Sequence, residues 1–257
     1  MAAVVRALGE DEAFLNRNGL SGDDFRLALP TAIERVRGSQ SASNSERREF
    51  LVALFEFLVA RGAISSFSRP TYGDDTVYRL KVGGSGDIAV IQKGCPDGRH
   101  SSVAWSVPDW AAETYVWWLC SSLTKEPGWH VSAGVKRMRG RFFNDQGETL
   151  DGVIFHNNVC GSDHRPCPKM SRAVDIGGMR VPPPCIWVTP DAGGGPDYNW
   201  AGTIQRKFPA ILLSGFGIPP EEAALYTGHV GFQRGAGVDR TNITSRYGSG
   251  RVTNARS

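Results

Sequence analysis

One stretch of the chain combines an acid, an amide and a lysine at a spacing that could support chemistry on a phosphate. Pro196-Asp197 is followed by Gln205 and Lys207, which are separated by one residue. Carboxylate oxygens are ligands for Mg²⁺, and an ammonium group can offset the charge that develops on a phosphate during hydrolysis. Because residues two apart on a strand share a face, Gln205 and Lys207 would face one pocket if they lie on a strand.

Other acids offer alternative positions for a metal ligand. Asp151 begins an apolar strand predicted over residues 149–155, and Glu113 lies in the aromatic segment 110–123. Asp191 would give a longer spacing to Gln205 than Asp197 does, and the predicted strand 87–93 also ends in Gln-Lys. The structural alternative is that these acids cap loops and strand ends.

Pro196-Asp197 and Gln205-Arg206-Lys207 together resemble the motif of the PD-(D/E)XK nucleases, the fold class of many type II restriction endonucleases. The resemblance implies that Asp197 is a metal ligand, that Gln205 occupies the second ligand position and that Lys207 is the catalytic lysine. It also implies a role for Glu113, which would match an acid that some members carry on the first core helix. We keep Asp151 beside Asp197 as a candidate ligand for Mg²⁺ and as a catalytic residue.

A cysteine- and histidine-rich segment offers a second type of site. Cys160, His164 and Cys167 are followed by Cys185, and these four residues could supply the ligands of a structural Zn²⁺ ion. The alternative is that the cysteines are small buried residues and that the histidine lies at the surface.

The basic residues indicate a polyanionic partner. Of the 29 basic residues, 23 are arginine, whose planar guanidinium suits phosphate oxygens and guanine edges. A basic strand is predicted over residues 130–143, with three arginines on one solvated face, and a basic, weakly structured tail is predicted for the last 25 residues. The candidate DNA-binding residues are Arg137, Arg139, Arg141, Arg234 and Arg240. The alternatives are a plain exposed face and a genome that favours arginine codons.

The elements that must position these residues follow from hydrophobic periodicity. Helices are predicted over residues 1–20, 22–37, 43–62, 110–123 and 219–226, and strands over 63–67, 76–82, 87–92, 130–143, 149–155, 185–188 and 203–214. The first 82 residues resemble a winged helix, in which the second helix reads a DNA groove. A structural arm on the larger body explains the same pattern equally well.

Length and composition restrict the class of protein. The chain has 257 residues, 40% of them hydrophobic and 21% charged, with a net charge of +3. No apolar run is long enough to cross a bilayer and no signal core is evident, so we expect a cytoplasmic protein that is not in a membrane. The expected fold is α/β (α+β), a mixed central sheet flanked by helices, with an N-terminal module over residues 1–82 and a catalytic body over residues 83–257.

These expectations combine into one function and two alternatives. The first is a Mg²⁺-dependent, sequence-specific endonuclease of the type II restriction class that hydrolyses double-stranded DNA as a homodimer, since cutting both strands of a symmetric site calls for two active centres. The alternatives are a non-enzymatic winged-helix DNA-binding regulator and a structural protein that packages nucleic acid.

Overall fold

The chain forms two compact units, residues Met1–Ser45 and Glu46–Ser257. The structure, a computed structural model, describes residues 7–25, 45–70, 77–95, 105–120, 127–143, 150–156, 161–162, 165–166, 168–190, 205–247 and 250–256. The first unit contains helix α1 (Glu12–Arg17), whose first turn is capped by the carboxylate of Asp11, which accepts a hydrogen bond from the Phe14 amide at 3.0 Å.

The second unit contains several helices of the described residues. They are α2 (Ser45–Ala60), α3 (Pro127–Phe143), α4 (Lys207–Gly215), α5 (Pro220–Ala223) and two 3₁₀ turns (Pro168–Arg172 and Ala224–Tyr226). Helix α2 ends where Gly62 adopts a φ of 68°, a left-handed conformation that favours glycine. None of the helices in the described ranges is long and apolar enough to cross a bilayer.

Nine strands of the described residues form one mixed sheet in the order β1-β2-β3-β4-β5-β10-β11-β12-β13. Their bounds are β1 (Ser66–Ser68), β2 (Val77–Val82), β3 (Gly86–Cys95), β4 (Glu113–Cys120), β5 (Gly152–His156), β10 (Cys185–Val188), β11 (Thr227–Gly235), β12 (Val238–Tyr247) and β13 (Gly250–Arg256). Two small hairpins lie outside this sheet: β6 (Gly161–Ser162) with β7 (Arg165–Pro166), and β8 (Val174–Ile176) with β9 (Met179–Val181).

The sheet is mixed. Its centre contains parallel pairs and one antiparallel pair, and its margins are antiparallel. Strands β3, β4 and β5 are parallel to one another, and β10 is antiparallel to β5 but parallel to β11. The pairs β1-β2, β2-β3, β11-β12 and β12-β13 are antiparallel. The amino ends of β3, β4 and β5 therefore lie side by side at one edge of the sheet.

Helices cover both faces of this sheet, which confirms the predicted fold class. On one face, α2 and α4 pack against Tyr115, Trp117 and Ile154 in one hydrophobic cluster. On the other face, α3 packs against Val116 and Trp118 in a second cluster. Successive residues of β4 alternate between the two clusters, as the pleat of a strand requires.

Two predicted elements of the central region are wrong, each for its own reason. The predicted helix 110–123 is strand β4, which is apolar on both faces because it is buried on both sides. The predicted basic strand 130–143 is helix α3, whose residues Val135, Met138 and Phe142 form a buried stripe at helical spacing. The three arginines predicted on one strand face are instead distributed around a helix.

Two further predictions near the C-terminus are also wrong. Residues 203–214 were expected to form a strand, but α4 begins at Lys207 and buries Phe208, Leu212 and Leu213 at helical spacing. The last 25 residues were expected to be weakly structured, but they form the end of β11 together with β12 and β13. Their many threonines and alternating apolar residues suit a half-buried sheet.

The N-terminal elements are confirmed in part. Helix α2 and the strands predicted at 63–67 and 76–82 are present, while residues 26–44 lie outside the described range. The predicted boundary at residues 82 and 83 falls within the sheet, since β2 pairs with β3 from Val77 to Val82. The predicted strands at 87–92, 149–155 and 185–188 and the short helix at 219–226 are also present.

Candidate active site

Two of the predicted acidic residues lie at the amino ends of neighbouring parallel strands. Glu113 is the first residue of β4, and Asp151 directly precedes β5. Tyr115 is the register partner of Gly152, so Thr114 lies beside Asp151. We call this part of the sheet, defined by Glu113 and Asp151, the carboxylate edge. Glu113 reaches it from a strand, not from the helix that the resemblance implied.

Asp151 is held by contacts on both sides. Its Oδ2 accepts a hydrogen bond from the Thr114 amide at 2.8 Å, and its Oδ1 lies 3.5 Å from Nη2 of Arg206. Its backbone carbonyl accepts a hydrogen bond from the Thr189 amide at 3.0 Å, which connects β5 to the end of β10. The side chain of Asp151 is 14% exposed and that of Arg206 19%, so solvent still reaches the pair.

Tyr115 bonds to the carboxylate of Glu113 and lies within the electrostatic influence of Asp151. Its hydroxyl donates a hydrogen bond of 2.5 Å to Oε2 of Glu113. Burial raises the pKa of the Tyr115 phenol far above its usual range, the charges of Glu113 and Asp151 raise it further, and Arg206 opposes them. The phenol is therefore within electrostatic reach of both acids and of Arg206, and it stays protonated as a hydrogen-bond donor.

Helix α4 brings two cations to the same edge. Arg206 has an extended backbone at the N-cap of α4, and Phe208, two residues further on, packs against the Tyr115 ring at 5.0 Å between centroids. Lys207 is exposed and its Nζ donates a 2.8 Å hydrogen bond to the carbonyl of Gly84, in the turn that precedes β3. The two basic residues thus contact opposite sides of the carboxylate edge.

The motif that suggested the nuclease resemblance has a different local geometry from the predicted one. Gln205 and Lys207 were expected on one strand face, but Gln205 is exposed before the helix and Lys207 is its first helical residue. Asp197 and Asp191 lie outside the described residues. The other Gln-Lys pair, Gln92-Lys93, lies in the second half of β3, towards the edge of the sheet opposite the carboxylates.

Tyr115 and Arg206 were not identified from the sequence. Tyr115 follows Glu113 by two residues, which on a strand gives both side chains the same face. That spacing indicates a contact between Glu113 and Tyr115 only when β4 is known to be a strand. Arg206 lies between the two residues of the motif, and only the start of a helix at Lys207 directs it towards Asp151.

The candidate DNA-binding arginines belong to two elements that meet. Arg137, Arg139 and Arg141 lie in the last two turns of α3, and Arg234 and Arg240 lie on the β11–β12 hairpin. The guanidinium of Arg139 donates a 3.0 Å hydrogen bond to the carbonyl of Asp239, which joins the helix to the hairpin. Arg141 and Arg234 lie over the rings of Trp105 and Phe143, at 4.0 and 4.4 Å from the ring centroids.

These arginines lie towards the carboxylate edge. Because β4 and β5 are parallel, the connection through α3 must return to the edge where β5 begins, so the C-terminal end of α3 points there. Strand β11 also extends past this edge, since its ladder with β10 ends at Val188 and His229 while β11 continues to Gly235. Cations from three elements therefore share one edge with two carboxylates.

Cys185 is the described member of the predicted zinc cluster. It is buried, and its Sγ accepts a hydrogen bond from Nζ of the buried Lys169 at 2.8 Å. Cys160, His164 and Cys167 lie outside the described residues, so the Zn²⁺ site stays a prediction. No group of three or more His, Cys, Asp or Glu side chains suited to a metal exists within the described ranges.

Compared with known protein families, curated proteins and solved structures, the chain shows no significant match.

Proposed function

We propose that this protein is a Mg²⁺-dependent endonuclease that cuts double-stranded DNA at specific sequences, as a restriction enzyme of type II does. The observation that carries the proposal is the position of Glu113 and Asp151 at the amino ends of adjacent parallel strands, with Arg206 3.5 Å from Asp151 and Lys207 bonded to the turn before β3. Two acids beside two cations match what phosphodiester hydrolysis needs, namely ligands for a divalent ion and positive charge for a phosphate.

The residues present are compatible with Mg²⁺. Magnesium in proteins is usually held by one or two carboxylates together with water and substrate phosphate, and Asp151 and Glu113 supply two carboxylates of partial exposure. When bound there, the cation would activate water and withdraw charge from the scissile phosphate. Arg206 orients Asp151, Tyr115 orients Glu113, and Lys207 offsets charge on the phosphate.

Substrate binding fits the same edge. The arginines of α3 and of the β11–β12 hairpin would contact DNA phosphates, which supply most of the sequence-independent affinity of DNA-binding proteins. We further propose that the protein acts as a homodimer in the cytoplasm. Two copies related by a two-fold axis would place one carboxylate edge on each strand of a symmetric site.

Plasmid cleavage tests the proposal directly. With Mg²⁺ the wild-type chain should cut supercoiled DNA into discrete fragments, and with EDTA it should not. Asp151→Asn keeps an oxygen that can accept the Thr114 amide but loses the charge, so we expect cleavage to fall at least about a hundredfold while the fold is retained. Lys207→Ala should abolish cleavage but keep DNA binding.

The matched control for these variants is Asp175→Asn. Asp175 lies on the separate hairpin β8–β9, where its carboxylate is 3.7 Å from Arg180 and 75% exposed. This variant should cut as the wild type does. If Asp151→Asn cuts as well as Asp175→Asn, Asp151 has no part in hydrolysis.

A non-enzymatic DNA-binding regulator is the second candidate. The observation that favours it is that both carboxylates are already engaged, Asp151 by Thr114 and Arg206 and Glu113 by Tyr115. A regulator would shift DNA in a gel without cutting it, whether Mg²⁺ is present or not.

A further inference from the structure

The part of the β11–β12 hairpin that extends beyond β10 is a ribbon with two different faces, and it is two-stranded except at Asn242, which also pairs with Arg256 of β13. Residues Gly231 to Gly235 of β11 pair with Asn242 to Val238 of β12. The hairpin closes through Ala236 and Gly237, with φ values of 51° and 77°, a pair of left-handed residues typical of a tight two-residue turn.

One face of this ribbon is fixed to α3. The Phe232 ring stacks on Phe142 at 4.7 Å between centroids and meets Phe143 edge-on at 5.9 Å. The guanidinium of Arg234 lies over Phe143 and bonds to Asp239 at 2.8 Å. Together with the hydrogen bond from Arg139 to the Asp239 carbonyl, these contacts hold the ribbon rigidly against the helix.

The opposite face carries exposed polar side chains. Gln233 lies between Phe232 and Arg234 along the strand, so its side chain points away from α3. Its register partner is Arg240, and Asn242 follows two residues further on the same face. All three side chains are exposed, and Val238 beside the turn is 53% exposed.

These residue types match the chemistry of base edges in DNA. The major groove is about 12 Å wide and admits a two-stranded ribbon, and arginine pairs with guanine while glutamine and asparagine pair with adenine. An exposed aliphatic side chain can contact the methyl group of thymine.

We propose that this face, defined by Gln233, Arg240 and Asn242, enters the major groove of double-stranded DNA and reads its sequence. The proposal rests on the proposed DNA substrate and adds the element that gives specificity. The arginines of α3 then contact the flanking phosphates, and the ribbon is held rigid by α3 so that its side chains meet the bases in a fixed register.

Selection of bound duplexes from a random-sequence pool tests whether the ribbon reads bases. The selection is done in EDTA, which removes Mg²⁺ so that no cleavage occurs. The wild-type chain should enrich a defined motif. Arg240→Ala and Gln233→Ala should each lower discrimination at one base pair by about ten- to a hundredfold and leave the rest of the motif unchanged. Asn242→Ala provides a third, independent variant, and the thermal midpoint of each variant should match the wild type because the three side chains are exposed.

Lys136→Ala is the control, because Lys136 is exposed on α3 and lies outside the ribbon. It should weaken binding to all sequences equally and keep the motif. An unchanged motif in all three ribbon variants, or no motif for the wild type, would overturn the base-reading proposal. Plasmid cleavage in Mg²⁺ is measured separately, so a selected motif without cleavage would reject the hydrolytic function and leave the reading face standing.

Discussion

At the scale of single residues, the hydrogen bond from Tyr115 fixes one oxygen of the Glu113 carboxylate. The Tyr115 hydroxyl donates to Glu113, and burial and the neighbouring acids raise the pKa of the phenol, so it is a donor at neutral pH. A donor of this kind leaves the second oxygen of Glu113 available to a cation. Tyr115 is thus a positioning residue in the proposed reaction.

A second buried residue, His156, is held neutral by its surroundings. Its ring lies among Phe50, Trp117 and Phe216, and its Nε2 is 3.0 Å from the carbonyl of Pro182. Burial, and then the charge of Lys169, lower the pKa of His156 to about 3. The folded protein therefore keeps His156 neutral at a pH at which the unfolded chain protonates it.

We predict a loss of stability in mild acid that depends on His156. Between pH 6.5 and 3 the unfolded chain binds a proton that the folded chain excludes, so the free energy of unfolding should fall by up to about 1.4 kcal/mol per pH unit. Above pH 6.5 the residue should contribute no pH dependence. Urea unfolding at pH 7.5, 6.5, 5.5 and 4.5 measures this slope. His156→Phe should flatten it, and an equal slope in both proteins would contradict the prediction.

Asp151 and Glu113 were identifiable from the sequence, but their partners were not. Asp151 precedes an apolar run, and such an acid at a strand entrance is visible without a structure. Arg206 was missed because its direction depends on where α4 starts. A single sequence does not show that Phe208, Leu212 and Leu213 share one buried helical face instead of alternating on a strand.

At the scale of elements, the aromatic segment of β4 shows why periodicity misled. A strand covered on both faces has no polar side, so its apolar residues run continuously and match a helix as well as a strand. Strand β2, which alternates between buried and more exposed residues, was predicted correctly. The buried strands β5 and β10 were predicted correctly, because an apolar run of only five or four residues is too short for a helix.

Two glycine variants test the packing of these elements. At Gly152 a Cβ would lie 2.9 Å from the carbonyl oxygen of Trp187 and 3.0 Å from the Tyr115 ring, whereas at Gly140 on α3 nothing lies within 4 Å. Gly152→Ala should lower the free energy of unfolding by about 1–3 kcal/mol through overpacking. Gly140→Ala should raise it by about 0.5–1 kcal/mol, because alanine favours a helix.

Urea denaturation of both variants beside the wild type measures these changes. Because both substitutions restrict the unfolded chain equally, their difference reports the folded state alone. We expect the changes in the free energy of unfolding to have opposite signs in the two variants. A stabilised Gly152→Ala protein would mean that β5 and β10 are farther apart than the register of Gly152 with Val188 requires.

At the scale of the whole molecule, the distribution of charge matters more than its sum. The net charge is only +3, but arginines from α3 and from the β11–β12 hairpin meet through the contact between Arg139 and Asp239. The excess of arginine was readable from composition. The contact between the arginines of α3 and the β11–β12 hairpin was not readable from composition. It depends on a sheet order in which β11 and β12 follow β10.

Salt dependence tests this concentration of charge. Each phosphate contact that is lost should reduce the slope of log affinity against log salt concentration by about 0.9. We expect Arg137→Ala to reduce the slope by about that amount for a duplex of arbitrary sequence, measured by fluorescence anisotropy between about 50 and 200 mM KCl. Arg180→Ala is the control, because Arg180 is exposed on β9 and paired with Asp175. An equal slope for Arg137→Ala and the wild type would place α3 away from DNA.

The position of β10 in the sheet has a consequence for biosynthesis. This wholly buried strand is inserted between β5 and β11, and β11 is made about forty residues later. While the ribosome is still making those residues, an apolar strand has one hydrogen-bonding border open to other nascent chains. A chaperone that covers this border until β11 is made should prevent such pairing, so chaperone co-expression should raise the yield of correctly folded protein.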